Sequence, residues 1–409
     1  MDVLYERCCG LDVHKRTVVA CLVVPGPDGK PVKEVRSFGT MTDELMQLAD
    51  WLLAAGCTHV ALESTGVYWK PIWNLLEARF ELLLVNARHV KAVPGRKTDA
   101  RDSEWLADLL RHGLLRPSFV PDRAQRELRE LTRYRTSLVQ ERSAEVNRLQ
   151  KTLEGANIKL GDVATDIMGL SSRQMLAALV GGETDAAVLA QLAQGRLRDK
   201  LPALERALRG PVGPHQRFLL AQQLAHIDVL DAAIEEVSVQ IAERLRPFEE
   251  ELQRLVAIPG VGRRTAEVLV AEIGVDMSRF PTSAHLASWA GMCPGNDESA
   301  GKRRSGKTRK GSPWLRSTLI EAARAAGRSK HTYLSAQYHR LAARRGTKRA
   351  AVAVGHTILV IAYHLLNGED VYRDLGATYF DERDRHAVER RLVARLEGLG
   401  YKVLLDPAA

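Results

Sequence analysis

"RCCGLDVHKRTVVACLVV", Arg7 to Val24, decides how the first third of the chain folds. Two apolar, β-branched runs, "RCCGL" and "TVVACLVV", flank the polar "DVHKR", a pattern that suits a tight connection between antiparallel strands. "PGPDGKP" is a turn signal, and "VKEVRSFGT" reads as a third strand. A helix is expected from Thr42 to Ala55, with Leu45, Leu48, Ala49 and Leu52 on one face. "HVALES" reads as a short buried strand, "WKPIWNLLEA" as a helix and "ELLLVN" as another buried strand. "GRKTDARDSEWLADLL", Gly95 to Leu110, then opens an acidic helix. The element order is βββ-α-β-α-β-α.

That order is the order of a ribonuclease H-like α/β domain, and it dictates where carboxylates fall. Asp12 ends the first strand and Glu63 the fourth. In such a sheet these strands are parallel neighbours, so both acids sit at one sheet end. Asp99 and Asp102, spaced i, i+3, share one face of the last helix. Each acid alone has a plainer reading: Asp12 as a turn residue, Glu63 as a strand-end charge, Asp99 and Asp102 as helix caps. Together on this element order, four converging carboxylates would repel strongly unless cations neutralise them. Hard oxygen ligands with open positions for phosphate suit Mg²⁺. Two such ions about 4 Å apart would serve phosphodiester chemistry. His14 and Lys15 read as turn residues that could also approach phosphate.

The chain of 409 residues, 45% hydrophobic and 27% charged, has the make-up of a globular protein with more than one domain. With 59 Lys and Arg against 50 Asp and Glu, it carries a net charge of +9, which suits a polyanionic partner. The five cysteines are odd in number and form no C-x-x-C pair, which argues against a disulfide framework or a cysteine zinc site and for a reducing cytosol. No signal peptide is read at the N-terminus, and apolar stretches such as "TILVIAYHLL" read as too short for a membrane span.

Four regions are expected: residues 1–122 as the α/β domain, 123–249 as a helical, coiled-coil-like middle, 250–370 as a mainly helical second domain, and 371–409 as an extension with a helix and a strand. Ile227, Leu230, Ile234, Val237 and Ile241 form an apolar seam that fits either a bundle helix or pairing between subunits. "VAIPGVGRRTAEVLVAEIG" carries a helix-hairpin-helix signature. Gly260 and Gly262 would let backbone N–H groups approach a DNA phosphate beside Arg263 and Arg264, or else serve packing alone. In "GNDESAGKRRSGKTRKGSPWLRSTL", Lys302, Arg303, Arg304, Lys307, Arg309 and Lys310 cluster among glycines that would keep the backbone pliable around nucleic acid, or else form a solvated face. "RLAARRGTKRA" extends the electropositive surface. "SGKT" lacks the strand and first glycine of a phosphate-binding loop. Ser299, Ser305 and Ser312 lie beside these cations, and nothing in the residues alone selects one as a nucleophile.

"GLDVHK", "ALESTGVYWKP", "VNARHVKAVPGRKTDARDSEWLADLLRHGLL", "IPGVGRRTA" and "WAGMCPGNDESAGKRRSGKTRKGSPWLR" occur together in one order. In them the chain resembles the DEDD transposases (recombinases) of bacterial insertion sequences, family one-hundred-ten. The resemblance implies an N-terminal RuvC-type domain, a coiled-coil middle used in oligomerisation and a C-terminal transposase domain. It places the four acids on Asp12, Glu63, Asp99 and Asp102 as Mg²⁺ ligands and the catalytic serine on Ser299. Here Ala300 precedes Gly301 where many relatives have Ser-Gly, so Ser305 stands second. It further implies a covalent phosphoserine link to DNA and a dimer-to-tetramer assembly. A structured guide RNA encoded by the element would select the DNA, and the setting would be bacterial cytoplasm at the nucleoid. Two other readings remain: a hydrolytic, Holliday-junction-resolvase-like nuclease using the same acids, and a non-enzymatic architectural DNA-binding protein. An actin-like kinase is excluded by the absence of a second Asp-bearing hairpin.

Overall fold

The computed structural model describes residues 2–64, 66–86, 102–295, 297–299, 301–368 and 371–405. It divides into two compact units, Met1–Arg123 and Ala124–Ala409.

The first unit is a mixed α/β body on one five-stranded sheet ordered β3-β2-β1-β4-β5. β1 (Cys8–Val13), β2 (Thr17–Pro25) and β3 (Pro31–Gly39) form an antiparallel meander. The β1–β2 turn closes with His14 N–H donating to the Thr17 carbonyl at 2.9 Å. β4 (His59–Ser64) and β5 (Glu81–Val85) then add in parallel beyond β1. Because side chains alternate along β1, its two faces feed two cores. Cys9, Leu11 and Val13 pack under α1 (Thr42–Ala54) and α2 (Trp69–Leu76). On the opposite face Cys8 joins Cys21, Val23, Ala61 and Val85 beneath α3 (Asp102–Arg111). Burial pushes the Cys8 thiol up to about 11 and those of Cys21 and Cys57 to about 12, so these cysteines act as small apolar side chains.

The second unit is mostly helical. Its two longest helices are α4 (Arg123–Gly155) and α9 (Pro214–Leu245). Between them lie α5 (Leu160–Val163), α6 (Leu170–Gly181), α7 (Ala186–Gln191) and α8 (Leu201–Ala207). Leu149, Leu153, Leu176, Leu189, Leu204 and Leu224 share one core there. The apolar seam finds its partner inside the chain: Leu230 and Ile234 pack on Leu138, with Val139 and Val237 beside them. Arg142 grips Asp231 with two nitrogens across the same pair of helices.

Further on come α10 (Glu249–Val256), α11 (Arg263–Ile273), α12 (Ser283–Trp289), α13 (Pro313–Arg328), α14 (Tyr333–Arg345) and α15 (Thr347–Leu366). α15 is long and apolar enough to cross a membrane, contrary to the reading of that stretch as too short, yet more than half of its most apolar window is buried inside the protein. Its Val354, Ile358, Leu359 and Ala362 are all core residues, so it is the central helix of this part of the fold.

Two sequence expectations need correction. The glycine-rich basic stretch is not pliable loop throughout: β6 (Asp297–Ser299) and β7 (Lys302–Ser305) pair as an antiparallel hairpin. Its turn carries Gly301 at φ +73°, where a side chain would be strained. The C-terminal region forms α16 (Tyr379–Glu382) and α17 (Arg385–Glu397), but residues 401–405 form no strand. An apolar run needs a ladder partner to become one.

Candidate active site and nucleic-acid interface

In the first unit the sheet register sets two acids side by side. Asp12 and Glu63 are direct partners across the parallel β1–β4 pair. Asp12 is about a quarter exposed, and its Oδ2 lies 3.2 Å from His14 Nε2, so His14 joins the site as a neighbour of the acid. The third acid arrives on α3. A Cβ on Gly10 would lie 2.4 Å from the Ser103 carbonyl oxygen and 2.6 Å from the Ala107 nitrogen. Only glycine at position 10 therefore lets the backbone of α3 seat directly on β1, two residues from Asp12. Asp102, adjacent to Ser103, opens that helix with its Oδ1 shielded from solvent. Asp99 lies outside the described residues. Among the described residues no group of three or more His, Cys, Asp or Glu is close enough to hold a metal ion. The described part of the quartet is a register pair plus one helix-borne acid. Its donors are all hard carboxylate oxygens, the chemistry that suits Mg²⁺.

Gly10→Ala tests the seat of α3. The methyl group meets backbone atoms, which cannot swing aside, so the unit is expected to lose about 1–3 kcal/mol of stability. Cleavage activity should fall as Asp102 is displaced. Thermal melting and a cleavage assay check this; a variant with unchanged melting would show that α3 does not need the close approach.

In the second unit the helix-hairpin-helix residues divide. Gly260 has φ +86°, and a Cβ there would lie 2.4 Å from the Ala322 carbonyl oxygen on α13. This glycine serves packing. Gly262 caps α11 and is open to solvent, as is Arg264. Arg263 is engaged: its Nη1 and Nη2 donate to the two oxygens of Glu249 at 2.6 and 2.7 Å, and its Nε lies 3.1 Å from Glu267 Oε1. Those hydrogen bonds hold the Glu249 carboxyl down at about 2.

A set of arginines on α4 that sequence reasoning missed anchors α11. Arg133 donates to Glu272 through two nitrogens, at 2.7 and 3.0 Å. Arg135 Nη2 lies 2.7 Å from Glu267 Oε2. Arg135 and Glu267 are 4% and 5% exposed, a charged pair inside the core. Charged residues on a long polar-looking helix carry no signal for this pairing; only burial reveals it.

The three serines also separate. Ser312 Oγ donates to Glu272 Oε2 at 3.0 Å and accepts from Leu315 N–H at the start of α13, so its hydroxyl is committed to structure. Ser299 stands opposite Lys302 in the hairpin register. Ser305 ends β7, and its Oγ accepts from Lys307 N–H at 3.2 Å. Lys302, Lys307, Arg309 and Lys310 are exposed; Arg303 and Arg304 belong to β7.

Two family models match the chain. One, described as a transposase of the DEDD type found with IS110, covers residues 9–158. The other, the transposase IS116/IS110/IS902 family, covers residues 252–340. The chain is 28% identical over 321 residues to a Pseudomonas aeruginosa protein named "probable family 20 transposase", spanning 77% of this chain and 85% of that one. It is 27% identical over 297 residues to the transposase for insertion sequence element IS1111A of Coxiella burnetii, spanning 71% and 72%. The first match contains Asp12, Glu63, Asp99 and Asp102; the second contains Ser299 and Ser305.

Proposed function

The chain belongs to the IS110 family of insertion-sequence transposases, and on that premise we propose that it cuts and rejoins DNA through a serine nucleophile served by a carboxylate-held Mg²⁺ site. As a DNA transposase its partner is DNA. The observation that carries the proposal is the pairing of Asp12 with Glu63 across β1 and β4, with α3 seated beside them at Gly10. The N-terminal unit is read as a ribonuclease H-like, RuvC-type domain, which the sheet order supports. Asp12, Glu63, Asp99 and Asp102 are the residues that would hold Mg²⁺, two ions in the family's pattern. When bound, such ions neutralise charge on the phosphodiester and the oxygens that enter and leave it. Asp12 and Glu63 would fix the site to the C-terminal end of the central strands β1 and β4, while Asp102 ties it to the position of α3.

Ser299 is the proposed nucleophile, with Ser305 on the same hairpin as second choice. Its Oγ attacks phosphorus, an O–P bond forms, and the phosphodiester bond to one neighbouring sugar oxygen breaks. The serine proton ends on that departing oxygen, leaving a phosphoserine link that a second sugar hydroxyl can reverse. Oligomerisation as a dimer to tetramer, targeting by an element-encoded guide RNA and a cytoplasmic, nucleoid-associated setting complete the proposal. RNA guidance fits a protein whose basic segments carry few aromatic residues, since charge reads backbone and shape.

The test is a protein–DNA adduct that survives denaturant, formed from purified chain, flanking element DNA and element RNA in Mg²⁺. The adduct is expected with wild type and lost in Ser299→Ala. Loss in Ser305→Ala alone would move the nucleophile to Ser305. Cleavage without any adduct would replace the serine route by direct hydrolysis.

A further inference from the structure

A cleft of about 1150 Å³ opens in the second unit between the end of β7, the loop after it, and helices α13, α14 and α15. Ser305 and Lys307 stand on one side; Arg316 on α13, Arg345 on α14, and Lys348 and Arg349 on α15 stand around the rest. Of the described residues that line it, none is acidic and none is Phe, Tyr or Trp. Elsewhere this protein pairs its arginines readily, as at Arg133, Arg142 and Arg263. Here Lys307, Arg345, Lys348 and Arg349 have no carboxylate partner among the described residues.

The placement of two of these cations is costly as it stands. Lys348 and Arg349 occupy the first turn of α15, which holds no acidic residue. A helix N-terminus already presents positive potential, so cations there are destabilising where acids would stabilise. Arg345, in the last turn of α14, adds a third charge across Gly346. Like charges gathered at a helix N-terminus without a counter-charge describe a site whose anion comes from outside. Arg316 braces the wall, donating to the Gly291 carbonyl at 3.1 Å and to Thr308 Oγ1. With no Phe, Tyr or Trp in the described lining and His356 its one ring, base stacking has little platform, so recognition falls mainly to the phosphates.

We infer that this cleft holds a phosphodiester backbone, gripped by Arg345, Lys348 and Arg349, and that it leads the strand past Ser305. The inference rests on the reading of the chain as an enzyme acting on DNA and adds the place where a strand is held. Arg345, Lys348 and Arg349 lie beyond residue 340, where the second family match ends.

The experiment measures salt-dependent binding of the full chain to a 20-nucleotide mixed-sequence DNA strand and to its RNA equivalent. The triple variant Arg345→Gln/Lys348→Gln/Arg349→Gln is compared with a control of equal charge loss, Arg196→Gln/Arg198→Gln/Arg206→Gln. Those three control arginines are exposed and lie outside the cleft. Three lost phosphate contacts should flatten the slope of log K against log salt by about 2 for a single strand. The control should change it by less than half as much, and melting curves confirm that both variants fold. A larger loss on DNA assigns the cleft to the element strand; a larger loss on RNA assigns it to a guide. An unchanged slope in the cleft variant, with wild type still binding, overturns the cleft and leaves the DNA-acting function standing. Equal losses in both variants overturn the cleft in favour of net charge. No binding by wild type overturns both.

Discussion

Asp12→Asn and Glu63→Gln are each expected to cut strand cleavage by orders of magnitude while leaving DNA binding intact. The two carboxylates are register partners on parallel strands, so in the proposed site each would supply a hard ligand and part of the local negative charge. Removing one would weaken the hold on the proposed divalent ion, whose charge stabilisation at phosphorus would amount to several kcal/mol. Roughly 4 kcal/mol corresponds to a rate loss of about 10³-fold. Stability should move the other way. Like charges placed opposite each other on neighbouring strands repel, so either variant should melt no lower than wild type. A drop in melting temperature alongside lost cleavage would mean that the acids serve folding.

Glu267→Leu carries the second large effect, on stability. Arg135 and Glu267 are buried together, with Arg135 Nη2 2.7 Å from Glu267 Oε2. Deleting the acid strands a guanidinium in the core, which costs about 3–5 kcal/mol. Arg263 cannot substitute as the object of loss: its side chain is 39% exposed and keeps Glu249 as a partner. Arg263→Gln should therefore cost at most about 1 kcal/mol. Replacing both buried partners, Arg135→Met with Glu267→Leu, should recover most of the loss because no charge is left alone. Urea unfolding of the three variants decides the point. A double variant no better than Glu267→Leu alone would show that shape, and not the unpaired charge, sets the penalty.

Local patterns made the α/β unit legible. "RCCGL" and "TVVACLVV" suited a hairpin, and "HVALES" and "ELLLVN" read as buried strands, so the adjacency of Asp12 and Glu63 followed from the strand order that these readings imply. What local pattern cannot carry is the long-range fit. Gly10 reads as one glycine in a strand, although its missing Cβ is what admits α3. Gly260 was open to either a phosphate or a packing role, and the nearness of α13 decides for packing. Arg133 and Arg135 look like solvent charges on α4 until Glu272 and Glu267 are placed against them. The seam of Leu230 and Ile234 fitted an intrachain or an intersubunit partner equally, and Leu138 occupies it. The hairpin of β6 and β7 did leave a trace, a short turn ending in Gly301, but its charged strands masked the alternation that marks a ladder. The cations of the cleft come from three helices and a loop, and their convergence has no signature in sequence order.

The most direct measurement is cleavage of element-end DNA as Mg²⁺ is titrated, with wild type and Asp12→Asn side by side. The account predicts that wild-type cutting rises with Mg²⁺ and stops on chelation, and that Asp12→Asn stays uncut across the whole range. Cutting by Asp12→Asn at the wild-type rate, or by wild type in full chelator, would contradict the placement of the catalytic metal at this end of the sheet.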